Sequence, residues 1–364
     1  MRLRRERAEL VVVGAGPAGL CAAATAARQG VPVVVLDENT YTGGQLRKQI
    51  HRFFGSGHHF AGLRGFEIAD ILADEAKGCG ADIRLGSFVQ GFFPSGELMV
   101  EGEGEVYLVE PEAVVLCTGA MERALPFPGW TLPGVMGAGA AQTLMNLHRV
   151  LPGRKVVMVG SGNVGLIVAY QLLQAGAEVQ AVLEISSRVG GYRVHETKLR
   201  REGVPIFLRH RLVAALGNGE VEAVVAEDME RGVYRRWEAD CLCLALGMSP
   251  LVELAAMRGC RMVYVPELGG TLPWHSQEMT TSVPGIFVAG DAAGVEEASV
   301  AMDEGRLAGL GAARFLGRLG DEEYRKAAEE IKERLTVLRA GSGTEAKRRA
   351  RESLWRDELR GPGR

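Results

Sequence analysis

Two stretches of the chain carry the same order of apolar and polar positions. In the first, residues 10–13 form an unbroken apolar run of the kind a strand buried on both faces shows. An alanine-rich segment over 20–28 predicts a helix, and a second apolar run over 31–36 ends at Asp37. In the second stretch, 156–159 predicts a strand, 166–174 a helix and 178–183 another strand, closed by Glu184. Between them the pattern predicts a helix over 66–77, strands over 81–85, 87–93, 106–111 and 113–116, and a helix of small residues over 137–147. The segment after Gln45 predicts a helix followed by a loop. Beyond the second stretch come a helix, a strand near 205–208, a charged hairpin around Asn218-Gly219, and buried strands over 241–246 and 286–289. A helix over 297–316 follows. In the charged tail, Tyr324, Ala328, Ile331, Leu335 and Leu338 share one helical face. Gly341, Ser342 and Gly343 break that face, and a second amphipathic segment carries Ala350, Leu354 and Trp355.

Each repeated stretch places glycines between its first strand and its helix. Gly14, Gly16 and Gly19 stand in the first, and Gly160, Gly162 and Gly165 in the second. The first glycine permits a sharp turn, the second lets backbone N–H groups approach a pyrophosphate, and the third lets the helix lie close to the strand. The helix start then faces a doubly negative group, which its dipole favours. Asp37 and Glu184 follow the third glycine by 18 and 19 residues and are placed to accept from ribose hydroxyls. Glu184 favours NAD over NADP, although Arg188 and Arg193 nearby weaken that preference. A glycine pair, Gly43-Gly44, adjoins the first acid and favours a longer cofactor there, FAD. Three prolines, Pro126, Pro128 and Pro133, mark a crossover between domains.

With 364 residues and 47% hydrophobic content, there is chain enough for two or three domains. A net charge of −3 supplies no basic field for nucleic acid. No stretch approaches the length of a membrane span, and the basic N-terminus, read as a solvated tail or as a contact to acidic lipid or a partner, lacks the apolar core of a signal peptide; both point to the cytoplasm. None of the six cysteines forms a C-x-x-C pair. Cys241 and Cys243 fall on one face of a strand, as buried thiols or as a metal or redox pair. His51, His58 and His59 lack zinc-site spacing and belong to a surface loop or touch a substrate or partner.

Gly14–Gly19, Asp37, Gly43-Gly44-Gln45, Thr118-Gly119, Gly160–Gly165 and Gly290-Asp291 together resemble the pyridine nucleotide–disulfide oxidoreductase superfamily over residues 8–318. The resemblance implies an α/β fold of two nested Rossmann-like dinucleotide-binding domains of three-layer ββα form, with C-terminal helices. An FAD domain would comprise 8–122 and 248–318, an NAD(P) domain would be inserted at 123–247, and a charged helical tail would occupy 319–364. FAD would meet Gly14, Gly16, Pro17, Ala18, Gly19, Asp37, Glu38, Gly44, Gln45, Val89, Thr118, Gly119, Gly290 and Asp291. NAD(H) would meet Gly160, Gly162, Asn163, Gly165, Glu184 and Gly247, with ATP or ADP as the other occupant of that site. The run from Gly119 through Glu122-Arg123, Pro126-Phe127-Pro128-Gly129-Trp130 and on to Gln142 is similar to the FAD-containing subunit of heteromeric amine and amino-acid dehydrogenases. These include opine oxidase, proline or hydroxyproline dehydrogenase, hydrogen cyanide synthase and the sarcosine oxidase α subunit. The implied partners are a separate [2Fe–2S] protein, since 319–364 holds no cysteine, and a second flavoprotein subunit.

Overall fold

The computed structural model describes residues 3–102, 104–341 and 344–356. Ser342 and Gly343 of the expected break, and 357–364 of the expected tail, lie outside the described residues. The chain divides into two compact units. One takes the residues up to Met121 and those from Ser249 onward; the other is Glu122–Met248.

The first unit opens with β1 (Arg4–Val13), α1 (Pro17–Arg28) and β2 (Val33–Asp37). Then come α2 (Gly65–Gly78), β3 (Asp82–Leu85), β4 (Phe88–Phe92), β5 (Leu98–Gly102) and β6 (Glu105–Leu116). β3, β2, β1 and β6 pair in parallel in that order, while β4 and β5 continue from β6 antiparallel. The apolar run at the end of β1 divides by alternation, as a strand buried on both faces requires. Leu10 and Val12 enter the core under α1 and α2, and Val11 and Val13 enter the core shared with β4 and β5. The two strands expected over 106–116 are one. Pro111 interrupts nothing, because β5 pairs only as far as Val109 and the short strand Ile286–Val288 begins pairing at Val114. In the gap between them no ladder donor is needed from β6 on that side.

Two other expectations are corrected. The basic N-terminus is not a solvated tail: Arg4 pairs with Tyr107 in the β1–β6 ladder, and Arg4, Arg5 and Arg7 meet Glu105, Glu97 and Glu110. No α-helix follows Gln45, where only 3₁₀ turns form, at Gly44–Lys48 and Gly57–His59. Left-handed backbone at Gly43, Gly44, Gly55, Phe60 and Gly62 breaks any longer helix there.

The second unit repeats the plan. Strands Ile206–Phe207, Glu178–Leu183, Lys155–Val159, Cys241–Leu244 and Val135–Gly137 pair in parallel in that order. They pack with α3 (Ala138–Asn146), α4 (Asn163–Gln174) and α5 (Arg193–Arg201), and a three-stranded antiparallel sheet, His210–Leu216, Ala223–Asp228 and Val233–Glu238, supplies the other layer.

The chain then returns to the first unit with α6 (Glu253–Met257) and an unanticipated hairpin of Met262–Val265 and Gly270–Pro273. After strand Ile286–Val288 come α7 (Ala298–Phe315), α8 (Asp321–Leu338) and α9 (Glu345–Arg356). The tail residues Tyr324, Ala328, Ile331 and Leu335 are all buried in the core under α1. Among the described residues, no helix is long and apolar enough to cross a membrane.

α7 lies directly on α1 because both are built of small residues. A Cβ at Gly305 would collide with the Ala18 carbonyl, and one at Gly309 with the Ala22 carbonyl. Since the obstacle is backbone, repacking does not relieve it. Gly305→Leu is expected to destabilise the fold by about 3 kcal/mol, read as a lower thermal midpoint by circular dichroism; an unchanged midpoint contradicts this packing.

Candidate functional sites in two glycine turns

The first turn is fixed by backbone. The Gly14 N–H donates to the Leu36 carbonyl at 2.8 Å and the Cys117 N–H to the Val13 carbonyl at 2.8 Å. Gly14 has φ of +104°, and a Cβ there would strike the Cys117 carbonyl. A Cβ on Gly19 would strike the Gly14 carbonyl, whereas one on Gly16 would meet nothing within 4 Å. Thus Gly14 and Gly19 are required by packing, and Gly16 borders open space. Pro17 opens α1 with its fixed φ, and no side chain caps Gly16. The first-turn amides of Gly16, Ala18 and Gly19 have no intrahelical acceptor. They are therefore available to an anion.

Asp37 closes the turn from below. Its Oδ2 accepts from the Ala15 N–H at 2.6 Å, and its Oδ1 accepts from the Asn39 backbone and side-chain amides at 2.8 Å each. The acid is therefore first a strut between β2 and the glycine turn. A carboxylate has about four acceptor positions, so one on Oδ2 remains for a hydroxyl. Gly43 donates to the Ala15 carbonyl at 2.7 Å, which lays the glycine pair beside Gly16. Glu38 and Gln45 are exposed next to it. The Ser87 N–H reaches the Asp37 carbonyl, so Val89, two residues on, is buried in the same core as Leu36.

The second unit reproduces the backbone bonds of this turn. Gly160 N–H donates to Leu183 at 2.8 Å, and Ala245 N–H to Val159 at 2.7 Å. Gly160 has φ of +101°, and a Cβ on Gly165 would strike the Gly160 carbonyl. Glu184 Oε2 accepts from the Ser161 N–H at 2.9 Å and hydroxyl at 2.6 Å, and Oε1 from the Ser186 N–H at 2.9 Å. Burial works against the charge of Glu184, but the bonds from Ser161 and Ser186 outweigh it and hold the carboxyl below its ordinary value. Gly191 donates to the Ser161 carbonyl at 2.8 Å, as Gly43 does to Ala15. The pair Gly190-Gly191 is thus the counterpart of Gly43-Gly44, a correspondence visible in the sequence as two glycines soon after the acid. Gly162 borders open space like Gly16, and Asn163 Oδ1 accepts from the Tyr192 N–H at 2.7 Å. Gly247 is exposed with φ of +89° and accepts from the Arg123 N–H at 3.0 Å.

A third motif joins the first turn. The Ala289 N–H donates to the Leu116 carbonyl at 3.0 Å, so Gly290 and Asp291 continue beyond the end of β6's neighbour. A Cβ on Gly290 would lie 2.9 Å from the Ala18 Cβ. Gly290 therefore sits against the start of α1, although more than 270 residues separate the two. Thr118 and Gly119 are half-buried, fixed by the bonds Thr118 Oγ1 to the Leu251 carbonyl and Leu251 N–H to the Gly119 carbonyl. Burial, with Glu304 nearby, pushes the Asp291 carboxyl up to about 6, against the one backbone bond it takes from Glu296.

The histidines separate. His58 is exposed, His51 stacks on Phe53, and His59 is buried between Ser56 Oγ and Asp303 Oδ2, each at 2.9 Å. Burial pushes Asp303 up, but hydrogen bonds from His59, Arg334 and Arg306 prevail and hold it well below the usual carboxylate range. His59 therefore anchors its loop to α7. Cys241 and Cys243 do share a face, with sulfurs 3.6 Å apart inside the core, and the hydrogen bond between them together with burial keeps the Cys243 thiol protonated. All six cysteines are free, and no group of metal-ligating side chains occurs among the described residues. Glu122 has a place that spacing did not reveal: its carboxylate accepts from the Gly139 N–H at 2.6 Å and the Ala140 N–H at 3.1 Å, closing the start of α3.

Known proteins share this architecture. The profile of the family described as pyridine nucleotide-disulphide oxidoreductase matches residues 8–305. An opine oxidase subunit from Agrobacterium tumefaciens is 32% identical over 326 residues, covering 84% of this chain and 65% of that protein. The HcnB subunit of hydrogen cyanide synthase from Pseudomonas aeruginosa is 32% identical over 329 residues, covering 82% of this chain and 69% of that one. The chain thus spans about two thirds of the length of these curated relatives. The solved structure of thioredoxin reductase from T. acidophilum superposes with a TM-score of 0.70 at 23% identity, over 85% of this chain and 98% of that one, a likeness of fold. With two glycine turns built alike and a match extending over most of its length, the chain belongs to the pyridine nucleotide-disulphide oxidoreductase family.

Proposed function

We propose that the chain is an FAD- and NAD(H)-binding oxidoreductase, serving as the electron-transfer subunit of a multi-component amine or amino-acid dehydrogenase. The observation that carries the FAD assignment is Gly290 lying against Ala18 at the open start of α1. This brings a half-buried carboxyl, Asp291, next in the chain to Gly290, toward the free first-turn amides. In this reading the discontinuous unit, 8–122 with 248–318, is the FAD domain, and 123–247 is the NAD domain.

The residues fit such a group. Gly16 leaves a cradle that any side chain would enter, and the amides of Gly16, Ala18 and Gly19 are donors for a pyrophosphate. Asp37, with Glu38 beside it, accepts from the adenosine ribose. Gly44 lies against Gly16 and Thr118 beside Gly14, and with their chain neighbours Gln45 and Gly119, and with Val89, they complete the proposed FAD contacts. Asp291 accepts from a polyol hydroxyl. In the inserted unit Glu184, held in its ionised form by Ser161 and Ser186, serves the same purpose for NAD(H), with Gly160, Gly162, Asn163, Gly165 and Gly247 around it. Bound flavin supplies hydride chemistry that no side chain provides. The similar proteins are named as components of larger enzymes, which supports a partnered enzyme here; in that assembly a second flavoprotein would oxidise the amine and a separate [2Fe–2S] protein would carry electrons.

Reconstitution tests this reading. The purified chain is expected to take up FAD with a flavin absorbance spectrum, and anaerobic NADH is expected to bleach it; absence of flavin uptake refutes the assignment. Asp291 gives the pH dependence. Its carboxyl titrates near 6 in the fold, and the ionised form is the stronger acceptor. FAD affinity should therefore rise as pH increases through about 6, by roughly tenfold, and Asp291→Asn should flatten the profile in a fluorescence titration. For the second site, Glu184→Ala should weaken NADH binding by roughly tenfold, measured by calorimetry.

A further inference from the structure

We infer that α9 is a working part of the Gly290–Asp291 turn, with Arg351 as a positioning residue for the flavin site. This rests on reading that turn as part of an FAD site. α9 lies beyond the 8–305 span of the family match, and by composition it reads as a charged surface helix. Its Arg351 is nevertheless fully buried.

Arg351 Nη2 donates to Glu296 Oε2 at 2.6 Å and to Glu304 Oε1 at 3.1 Å. The same guanidinium reaches the carbonyls of Ala293 at 3.4 Å and Gly294 at 3.3 Å. Arg339, from the end of α8, donates to the same two glutamates at 2.8 and 2.5 Å. Glu304 then uses its other oxygen, Oε2, to accept the Gly290 N–H at 3.0 Å. One arginine on α9 thus holds both ends of the 290–294 turn: its start through Glu304, its end through the two carbonyls. Lys347, also on α9, donates to the Val295 carbonyl at 2.7 Å. Leu354 anchors the helix against Leu268 and Leu272, and its carbonyl accepts from Trp274 Nε1 at 3.2 Å.

The network also sets the field at Asp291. The charged groups facing it are Glu304 and Glu296, which oppose its ionisation, and Lys347, which favours it. Burial pushes the Glu304 carboxyl up against the pull of Arg351 and Arg339, whereas at Glu296 the two arginines prevail over burial and hold the carboxyl below its ordinary value. His275 Nε2 lies 3.1 Å from Arg351 Nη1 and is held neutral by burial and by the two arginines, so it accepts there and adds no charge. Removing the Arg351 charge leaves the ionised Glu296 less screened, which raises the pH at which Asp291 ionises.

FAD affinity of the full-length chain, titrated by flavin fluorescence from pH 5 to 8.5 (approximate limits), tests this, with apo-protein melting measured alongside. Arg351→Met is expected to raise the FAD dissociation constant by roughly tenfold and to move the midpoint of the pH profile upward. Arg351→Lys keeps the charge but lacks the fork that reaches both glutamates and both carbonyls. It should restore the wild-type midpoint while still binding FAD several-fold more weakly, and it carries the test if Arg351→Met does not fold. Wild-type affinity and midpoint in the folded variants overturn the proposal, as does weaker binding without any shift of the midpoint in folded Arg351→Met, since packing alone explains that. A wild-type chain that takes up no FAD removes the flavin reading itself, a separate failure seen before any variant is compared.

Discussion

The structure depends on how closely a helix approaches the strand that precedes it. α1 can lie on the end of β1 only because Gly19 presents no Cβ to the Gly14 carbonyl, and Gly14 none to Cys117. That approach leaves the first-turn amides of α1 pointing out of the sheet with no acceptor, and the Ala15 amide pointing inward at Asp37. The same contact recurs between Gly165 and Gly160 in the inserted unit. Anion binding and fold are thus one constraint, since the residues that make the amides available also permit the packing.

Where the sequence carried steric necessity, the structure follows it closely. The glycines at 14, 19, 160 and 165 admit few alternatives, and the apolar runs beside them are buried on both faces. The sequence was less informative where a residue's role depends on a distant partner. Arg4, Arg5 and Arg7 look like a solvated tail until Glu97, Glu105 and Glu110 arrive on neighbouring strands. Asp37 and Glu184 were legible as acids at the right spacing, but their duty as struts for Ala15 and Ser161 was not, because backbone acceptance leaves no pattern. Glu122 capping α3 was hidden for the same reason.

The charged end of the chain illustrates this best. α8 and α9 are rich in Arg and Glu, the composition of a solvated face, yet Arg339 and Arg351 are buried against Glu296 and Glu304. Two positive and two negative groups balance there, which makes burial tolerable; taking away one member of such a cluster typically costs about 3–5 kcal/mol. Amphipathic spacing found the apolar stripe of α8 but gave no means of telling a buried ion cluster from a wet one.

β6 has a consequence of its own. Its first half carries β5 and its second half carries Ile286–Val288, with Pro111 in the unpaired interval. Six of the sheet's seven strands therefore precede the second unit, and the seventh, which follows it, docks on the half of β6 that β5 leaves open. An excursion of any length between these two points leaves the parent sheet's order and register untouched. Such a joint lets a lineage replace, enlarge or retune the guest unit by recombination while the host continues to fold.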